Sequence, residues 1–249
     1  MSGHSKWSTI KRKKAATDAA RGKVFTKYIR EITLAARAGG GDPDANPRLR
    51  TAISGAKSVN MPVANIERAI QKGTGQLDGS VIEEVTYEGY GPHGVAILVE
   101  CATDNHNRAT GDVRHAFSKY GGNMGEAGSV SYLFKSRGVI TVALDAAAED
   151  VLMEVALEAG AEDIVTGADA YEITTPVSAL EPVREALSAH GIAVQHAEAT
   201  KISSVLVPIG EKEAGSVLRL VSVLEELDDV QQVYANFDLS DEVLAKLSH

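Results

Sequence analysis

The amino-acid sequence predicts an α+β protein of three domains: a basic helical N-terminal domain and two α/β domains, one ferredoxin-like and inserted into the other. Three observations predict this fold. Residues 1–75 carry helical patterns punctuated by glycine and proline. From about residue 78, apolar runs of strand length alternate with helical patterns. Residues 139–198 show the element order βαββαβ, which is the ferredoxin-like order.

The chain order sets the expected domain boundaries. We predict a helical domain at residues 1–77, a discontinuous α/β domain at residues 78–134 plus 204–249, and the inserted ferredoxin-like domain at residues 135–203. The last segment, with two strands and one helix, is too short to form a stable domain by itself. It could complete the sheet of residues 78–134, which otherwise has only one helix to cover it.

The helical domain is expected to contain three well-formed helices. The first covers residues 24–38 and ends at the glycines of residues 39–41. Asn46 and Pro47 begin the second helix as its cap and first residue, and Met61-Pro62 begins the third. A shorter helix over residues 11–21, set apart by Gly22, has few large apolar side chains. We expect it to order on a partner.

The other elements follow from the period of their apolar residues. Strands are predicted at residues 81–88, 95–102, 129–134, 139–144, 163–166, 171–175, 192–198, 204–208 and 230–237, and helices at residues 105–120, 149–159, 179–190 and 212–227.

Composition indicates an ordinary soluble globular protein, with 249 residues of which 44% are hydrophobic. The single cysteine, Cys101, excludes an internal disulfide and fits a reducing compartment. No run approaches the roughly 18 apolar residues that a membrane helix needs. The N-terminus has no apolar core after its charges and so does not resemble a secretory signal. We therefore expect a cytoplasmic protein that does not bind membranes.

Charge is distributed very unevenly along the chain. The net charge is −9, yet the first 30 residues hold nine basic residues against one acidic residue. Residues 1–75 sum to +10 and the remainder to −19. This asymmetry indicates a basic module for polyanions attached to an acidic body, which would repel nucleic acid and help to orient the molecule.

The basic N-terminal stretch has the composition of a nucleic-acid contact, because lysines and arginines cluster there with aromatic residues. Trp7 could stack on a base, whereas Phe25 and Tyr28 better suit the helix core. The alternative is a solvated tail without a partner. The candidate nucleic-acid-binding residues are Lys6, Trp7, Lys11, Arg12, Lys13, Lys14, Arg21, Lys23, Lys27 and Arg30.

A second candidate surface lies where a predicted strand passes into a helix, at residues 104–108. Its polar side chains could bind a ligand or phosphate. The alternative, which we favour, is that Asp104 caps the helix and Arg108 pairs with a nearby acid. Together with the preceding strand, the candidates are Tyr87, Glu88, Tyr90, Asp104, Asn105, Asn107 and Arg108.

Other motifs give no catalytic site. The G-x-G-x-x-G of residues 89–94 precedes a strand rather than a helix, so it predicts a turn and not a dinucleotide site. Neither a G-x-S-x-G motif nor histidine and cysteine spacing for zinc is present. We expect no cofactor, no metal and no small-molecule substrate.

Several long motifs in one order resemble the YebC family, also described as probable transcriptional regulators related to the mitochondrial translational activator of a cytochrome oxidase subunit. The motifs are GHSKW (3–7), KRKKAATDAARGKVFTKYIREIT (11–33), GGGDPDANPRLR (39–50), MPVANIERAIQKGTG (61–75), YEGYGPHGVAILVE (87–100), TDNHNR (103–108) and VRHAFSKYGGNMGEAGSVSYLF (113–134).

The resemblance implies three domains and a cytosolic, non-enzymatic protein. It leaves two roles open, a regulator that binds DNA and a ribosome-associated translation factor that binds ribosomal RNA and relieves stalling on proline-rich nascent chains. Few Asn or Gln accompany the basic residues, which slightly favours RNA over base reading in DNA. The alternatives of another class are an enzyme with its site near Asp104–Arg108 and a protein-interaction scaffold.

Overall fold

The computed structural model describes residues 18–167, 170–240, 242–243 and 246, with side chains described from Gly22 onward. It confirms the α+β class, since helices accompany two four-stranded sheets and one two-stranded sheet among these residues. Two compact units are present, one of residues 18–130 with 212–235 and one of residues 131–211 with 236–246. The predicted boundaries of three domains stay a prediction.

The described residues form seven α-helices and ten strands. The helices are α1 (Asp18–Gly39), α2 (Pro47–Ser58), α3 (Val63–Gly73), α4 (His106–Lys119), α5 (Glu149–Glu158), α6 (Leu180–Ala189) and α7 (Glu211–Glu226). The strands are β1 (Glu83–Tyr90), β2 (Ala96–Thr103), β3 (Asn123–Met124), β4 (Phe134–Ala143), β5 (Asp163–Thr166), β6 (Ala170–Thr175), β7 (Val194–Ser203), β8 (Val207–Pro208), β9 (Val230–Ala235) and β10 (Phe237–Asp238).

Helix α1 passes through Gly22 without interruption, so the predicted break at this glycine is wrong. A glycine inside a helix costs only about 1 kcal/mol relative to alanine. The neighbours Ala19, Ala20 and Lys23 are good helix formers, and they offset that cost. Residues 11–17 of the predicted short helix lie outside the described residues.

Asn46 joins the first two helices, as the sequence predicts for the start of α2. Its side-chain oxygen accepts a hydrogen bond from the backbone N–H of Leu49 at 3.1 Å. Its side-chain nitrogen donates to the carbonyl oxygens of Ala35 at 2.8 Å and Gly40 at 2.9 Å. Asn46 thus caps α2 and satisfies carbonyls at the end of α1. The three helices enclose a core that includes Ile32, Leu49 and Ile66.

The first unit also contains an antiparallel sheet with the strand order β3-β1-β2-β9. Strand β2 lies inside this sheet, between β1 and β9, and seven of its eight residues are buried. Because β9 comes from residues 230–235, the C-terminal part of the chain completes a sheet begun near residue 83.

The second unit contains the sheet β5-β6-β4-β7, whose neighbouring strands are all antiparallel. Helices α5 and α6 follow the first and third of these strands along the chain, which gives the predicted element order βαββαβ. The helices and sheet share a core with Ile140, Leu152 and Leu187 fully buried.

The predicted strand at residues 129–134 is wrong. Residues Ser131–Leu133 form a 3-10 turn, and β4 begins only at Phe134. The backbone N–H groups of Gly128 and Val130 donate to the carboxylate of Glu88 at 2.8 and 2.7 Å. These amides are therefore bound by a side chain and do not join a sheet ladder.

Candidate nucleic-acid interface

Most of the predicted nucleic-acid-binding residues precede the part of the chain that the structure describes. These are Lys6, Trp7, Lys11, Arg12, Lys13 and Lys14. Arg21 belongs to α1, but its side chain lies outside the described set.

Lys23, Lys27 and Arg30 follow one face of α1 at spacings of four and three residues, and that face meets the end of α7. The amine of Lys23 donates to the carbonyl oxygen of Glu226 at 2.9 Å. The amine of Lys27 donates to the carbonyl oxygens of Glu225 at 3.3 Å and Gln231 at 3.4 Å. The guanidinium of Arg30 donates to the carbonyl oxygen of Asp228.

These contacts have a simple electrostatic basis. The last four carbonyl groups of a helix have no partner within the helix, and they form the negative end of its dipole. Three cations on α1 satisfy carbonyls in the last turn of α7 and in the segment that leads from α7 into β9. The structure therefore gives Lys23, Lys27 and Arg30 protein partners, and their role as phosphate contacts stays a prediction.

Asp229 links this contact to the second candidate surface. Its side chain is only 6% exposed, and it forms an ion pair with Arg30 at 2.9 Å. It also accepts two hydrogen bonds from Arg108, from Nε and Nη2, each at 3.0 Å. A buried carboxylate between two guanidinium groups is well compensated for its loss of water. Sequence reasoning missed Asp229, whose only local signal was the acidic cluster of residues 225–229.

Arg108 extends the network to the end of β2. It donates to the carboxylate of Asp104 at 2.9 Å, and Ser80 donates to the same carboxylate at 2.9 Å. These hydrogen bonds, with that from Arg108 the larger cause, lower the pKa of Asp104 below its ordinary value. Arg108 thus pairs with nearby acids, as the favoured alternative expects.

The prediction that Asp104 caps α4 is wrong. Asn105, and not Asp104, is the capping residue, and its side chain accepts from the backbone N–H of Arg108 at 3.0 Å. Asn105 has the extended backbone that a cap requires, while the carboxylate of Asp104 is held by Ser80 and Arg108. Asn107 follows on the exposed first turn of α4.

The remaining candidates on β1 do not form one surface with this network. Tyr87 is buried and shares a hydrogen bond with Thr110 at 2.9 Å, and burial raises the pKa of its phenol. Glu88 is buried and binds the loop before β4, as described above. Tyr90 is 41% exposed and donates to the carbonyl oxygen of Ser129 at 3.2 Å.

The strand register separates Tyr90 from the Asp104 end of the sheet. Tyr90 pairs with Ala96, whereas Glu83, at the other end of β1, pairs with Thr103. Seven residues of strand correspond to roughly 23 Å. The structure therefore brings together Asp104, Asn105 and Arg108 and leaves Tyr90 at the opposite end of the hairpin.

Two family models together match nearly the whole chain. The "TACO1/YebC protein N-terminal domain" matches residues 5–76, and the "TACO1/YebC second and third domain" matches residues 82–237. The chain belongs to the TACO1/YebC family. The resemblance inferred from the sequence motifs is confirmed.

Full-length relatives of the family carry regulatory names. A "Probable transcriptional regulatory protein" of Desulfosudis oleivorans is 58% identical over 243 residues, which cover 98% of this chain and 99% of the relative. One of Geobacter sulfurreducens is 56% identical over 247 residues, covering 99% and 100%.

The TACO1/YebC chain also resembles a solved structure, that of a conserved hypothetical protein from Aquifex aeolicus. The two share 51% sequence identity with a TM-score of 0.79, over 91% of this chain and 94% of the other. Within its described residues, this family member has no helix with the length and apolar character needed to cross a membrane.

Proposed function

We propose that this TACO1/YebC protein is a non-enzymatic, nucleic-acid-binding regulator of gene expression that contacts DNA or RNA through its basic N-terminal stretch. One observation carries the proposal: nine basic residues against one acidic residue in the first 30, on a chain of net charge −9. The regulatory names of its relatives support it. The protein acts in the cytoplasm and requires no cofactor, metal or small-molecule substrate.

The contacts of α1 suggest two different roles among the ten candidate residues. Lys23, Lys27 and Arg30 bind α7 and Asp229, and they hold α1 in place. The phosphate contacts are then those that precede them, with Trp7 stacking on a base. Six such cations would make the binding strongly salt-dependent: the affinity for nucleic acid should fall about a thousand-fold between about 50 and 200 mM salt. They are Lys6, Lys11, Arg12, Lys13, Lys14 and Arg21.

The same contacts favour the RNA-binding form of the proposal. A DNA-reading helix lies in the major groove with its polar face against base edges. The face of α1 that carries Lys23, Lys27 and Arg30 is turned toward α7. This arrangement favours backbone contact with folded RNA, and it supports the second candidate function. That function is a ribosome-associated factor that binds ribosomal RNA and relieves stalling on proline-rich nascent chains.

The Asp104–Arg108 cluster supports a non-enzymatic role. Its charged groups are bound to each other, to Ser80 and to the buried Asp229. A catalytic acid or base must instead reach a proton on the substrate. The network is better explained as the attachment of α1 and α4 to the segment between α7 and β9.

Fluorescence anisotropy with labelled nucleic acid tests the proposal. The probes are a DNA duplex of about 24 base pairs and a folded ribosomal RNA fragment, titrated from about 50 to 200 mM salt. In the test variant, Lys11, Arg12, Lys13 and Lys14 are changed to Gln. The matched control carries Lys135→Gln, Arg137→Gln, Arg184→Gln and Lys246→Gln, the same charge change outside the N-terminal stretch.

We expect the test variant to lose most of its affinity and about four units of salt slope, while the control stays close to wild type. Equal losses in both variants would contradict a localised contact. Wild-type protein that binds neither probe at the lowest salt would overturn the proposed function.

Co-sedimentation with ribosomes through sucrose gradients separates the two roles. Wild-type protein that travels with ribosomes, and a test variant that does not, would favour the translation factor. Wild-type protein that stays at the top of the gradient but binds the DNA duplex would favour the transcriptional regulator.

A further inference from the structure

Tyr120 holds two cations against one aromatic ring. It follows α4 as its C-terminal capping residue, with its backbone N–H bound to the carbonyl of Ala116 at 3.1 Å. The amine of Lys119 and the guanidinium carbon of Arg219 each lie 5.6 Å from the centroid of its ring. The ring attracts both cations through its π electrons. The two charges therefore lie no farther apart than twice that distance, one on α4 and the other on α7.

Neither cation forms an ion pair within the described parts of the chain. The arginines at positions 48, 108, 137 and 184 all have carboxylate partners there. Carboxylates are therefore available for ion pairs in this protein, although none of the described ones pairs with Lys119 or Arg219. Residues 76–249 contain 29 acidic residues against 10 basic ones. Two neighbouring cations without a carboxylate repel each other, and a bound anion would relieve that repulsion.

The exposed face of α7 continues this positive surface. Lys212, Ser216 and Arg219 are spaced by four and three residues, and all three are exposed. The side chain of His93 lies 3.1 Å from the hydroxyl of Ser216, so the turn between β1 and β2 borders the same face. The acidic neighbours of Lys212 along this helix are Glu213, which is half-buried, and Glu211, whose carboxylate accepts from the amine of Lys246 at 2.6 Å.

The position of this face on α7 relates it to the N-terminal stretch. Arg219 lies seven residues before Glu226, whose carbonyl binds Lys23 of α1. Seven residues of helix span about 10 Å, comparable to three base pairs of a duplex. One sugar-phosphate backbone could therefore pass from the start of α1 to the middle of α7.

We propose that Lys119, Arg219 and Lys212 form a second phosphate-contact surface, which binds the same nucleic acid as the N-terminal stretch. This inference rests on the proposed function. Its ligand is the sugar-phosphate backbone, because the surface offers cations and hydroxyl groups without the paired amides that read bases.

A double variant, Lys119→Gln with Arg219→Gln, tests the surface in the anisotropy assay with the same two probes. The matched control is Lys135→Gln with Arg184→Gln, which removes two positive charges from the other unit. Removing two phosphate contacts should reduce the salt slope by about two units and the affinity by about tenfold or more. The charge-preserving pair Lys119→Arg with Arg219→Lys should bind like wild type.

The possible results distinguish this surface from the proposed function. If the double variant keeps wild-type affinity and slope while the Lys11–Lys14 variant loses both, the second surface is overturned and the function stands. If wild-type protein binds neither probe, both proposals fail. A loss of equal size in the control also overturns the surface. Should the double variant not fold by circular dichroism, each single variant is expected to lower the slope by about one unit.

Discussion

Arg30 on α1 and Asp229 before β9 form a 2.9 Å ion pair whose two side chains are only 15% and 6% exposed. The same carboxylate accepts from Arg108 on α4. One buried acid thus holds together two helices and a strand from three distant parts of the chain. Because Asp229 binds both arginines, its removal should destabilise this attachment more than the removal of either arginine.

Asp229→Ala should strongly destabilise the protein, since it leaves Arg30 without the carboxylate of its ion pair and leaves Arg108 only its more exposed partner, Asp104. Loss of one partner of a buried ion pair costs about 3–5 kcal/mol, and the partial exposure of Arg108 places the expected loss near 3 kcal/mol. Urea denaturation measures it. The control Glu181→Gln removes an exposed pair with Arg184 and should change the free energy of unfolding by less than about 1 kcal/mol. Similar values for the two variants would contradict the anchoring role of Asp229.

Gly22→Ala should stabilise the protein by about 0.5–1 kcal/mol, because Gly22 lies inside α1 and a Cβ there meets no atom within 4 Å. Gly89→Ala should do the opposite. A Cβ at Gly89 would lie 2.6 Å from the carbonyl oxygen of Asn123 and 2.9 Å from the ring of Phe117. Thermal unfolding of both variants measures the difference, and a destabilised Gly22→Ala would mean that α1 does not continue through this position.

The thiol of Cys101 should be unreactive in the folded protein. It is buried on β2, and burial is the largest cause that raises its pKa to about 12. At pH 8 only about one thiol in ten thousand is then ionised. Ellman's reagent should label the protein slowly without denaturant and rapidly in urea. Rapid labelling of the native state would contradict the buried position of this strand.

The pKa of Asp104 should lie below the ordinary aspartate value of about 3.9, because Arg108 and then Ser80 stabilise its charged form. Its contribution to stability is complete above that ordinary value and is lost as the pH falls through the lowered folded pKa. Carboxyl NMR titration should place the pKa of Asp104 below the ordinary value. Arg108→Gln should raise this pKa more than Ser80→Ala does, and the reverse order would contradict the assigned causes.

Local signals predicted much of the fold. Asn46 and Pro47 specify the start of α2 through a cap and a fixed backbone angle, and both act within three residues. The period of apolar residues likewise located most of the longer strands and the order βαββαβ. Gly22 misled because the good helix formers around it offset its cost, and the stretch before β4 misled because the side chain of Glu88 binds its backbone amides.

The candidate site was less predictable because its partners lie far away along the chain. Lys23 donates to a carbonyl 203 residues later, and Arg108 binds an acid 121 residues later. A basic residue near the N-terminus has the same local pattern whether its partner is a phosphate or a helix end. The cations beside Tyr120 could not be predicted for the same reason, since Arg219 lies on another helix, far from Tyr120 along the chain.

The pairing of β2 with β9 has a consequence for biosynthesis. During synthesis, β2 leaves the ribosome more than a hundred residues before β9, its second neighbour in the sheet. The separation along the chain between α1 and its partner, the end of α7, is longer still. At about 5–20 residues per second, the apolar edge of β2 stays unpaired for several seconds or more. An uncovered edge strand of this kind is open to wrong pairing. The newly made protein therefore passes through an aggregation-sensitive interval that ends only when residues 211–235 leave the ribosome.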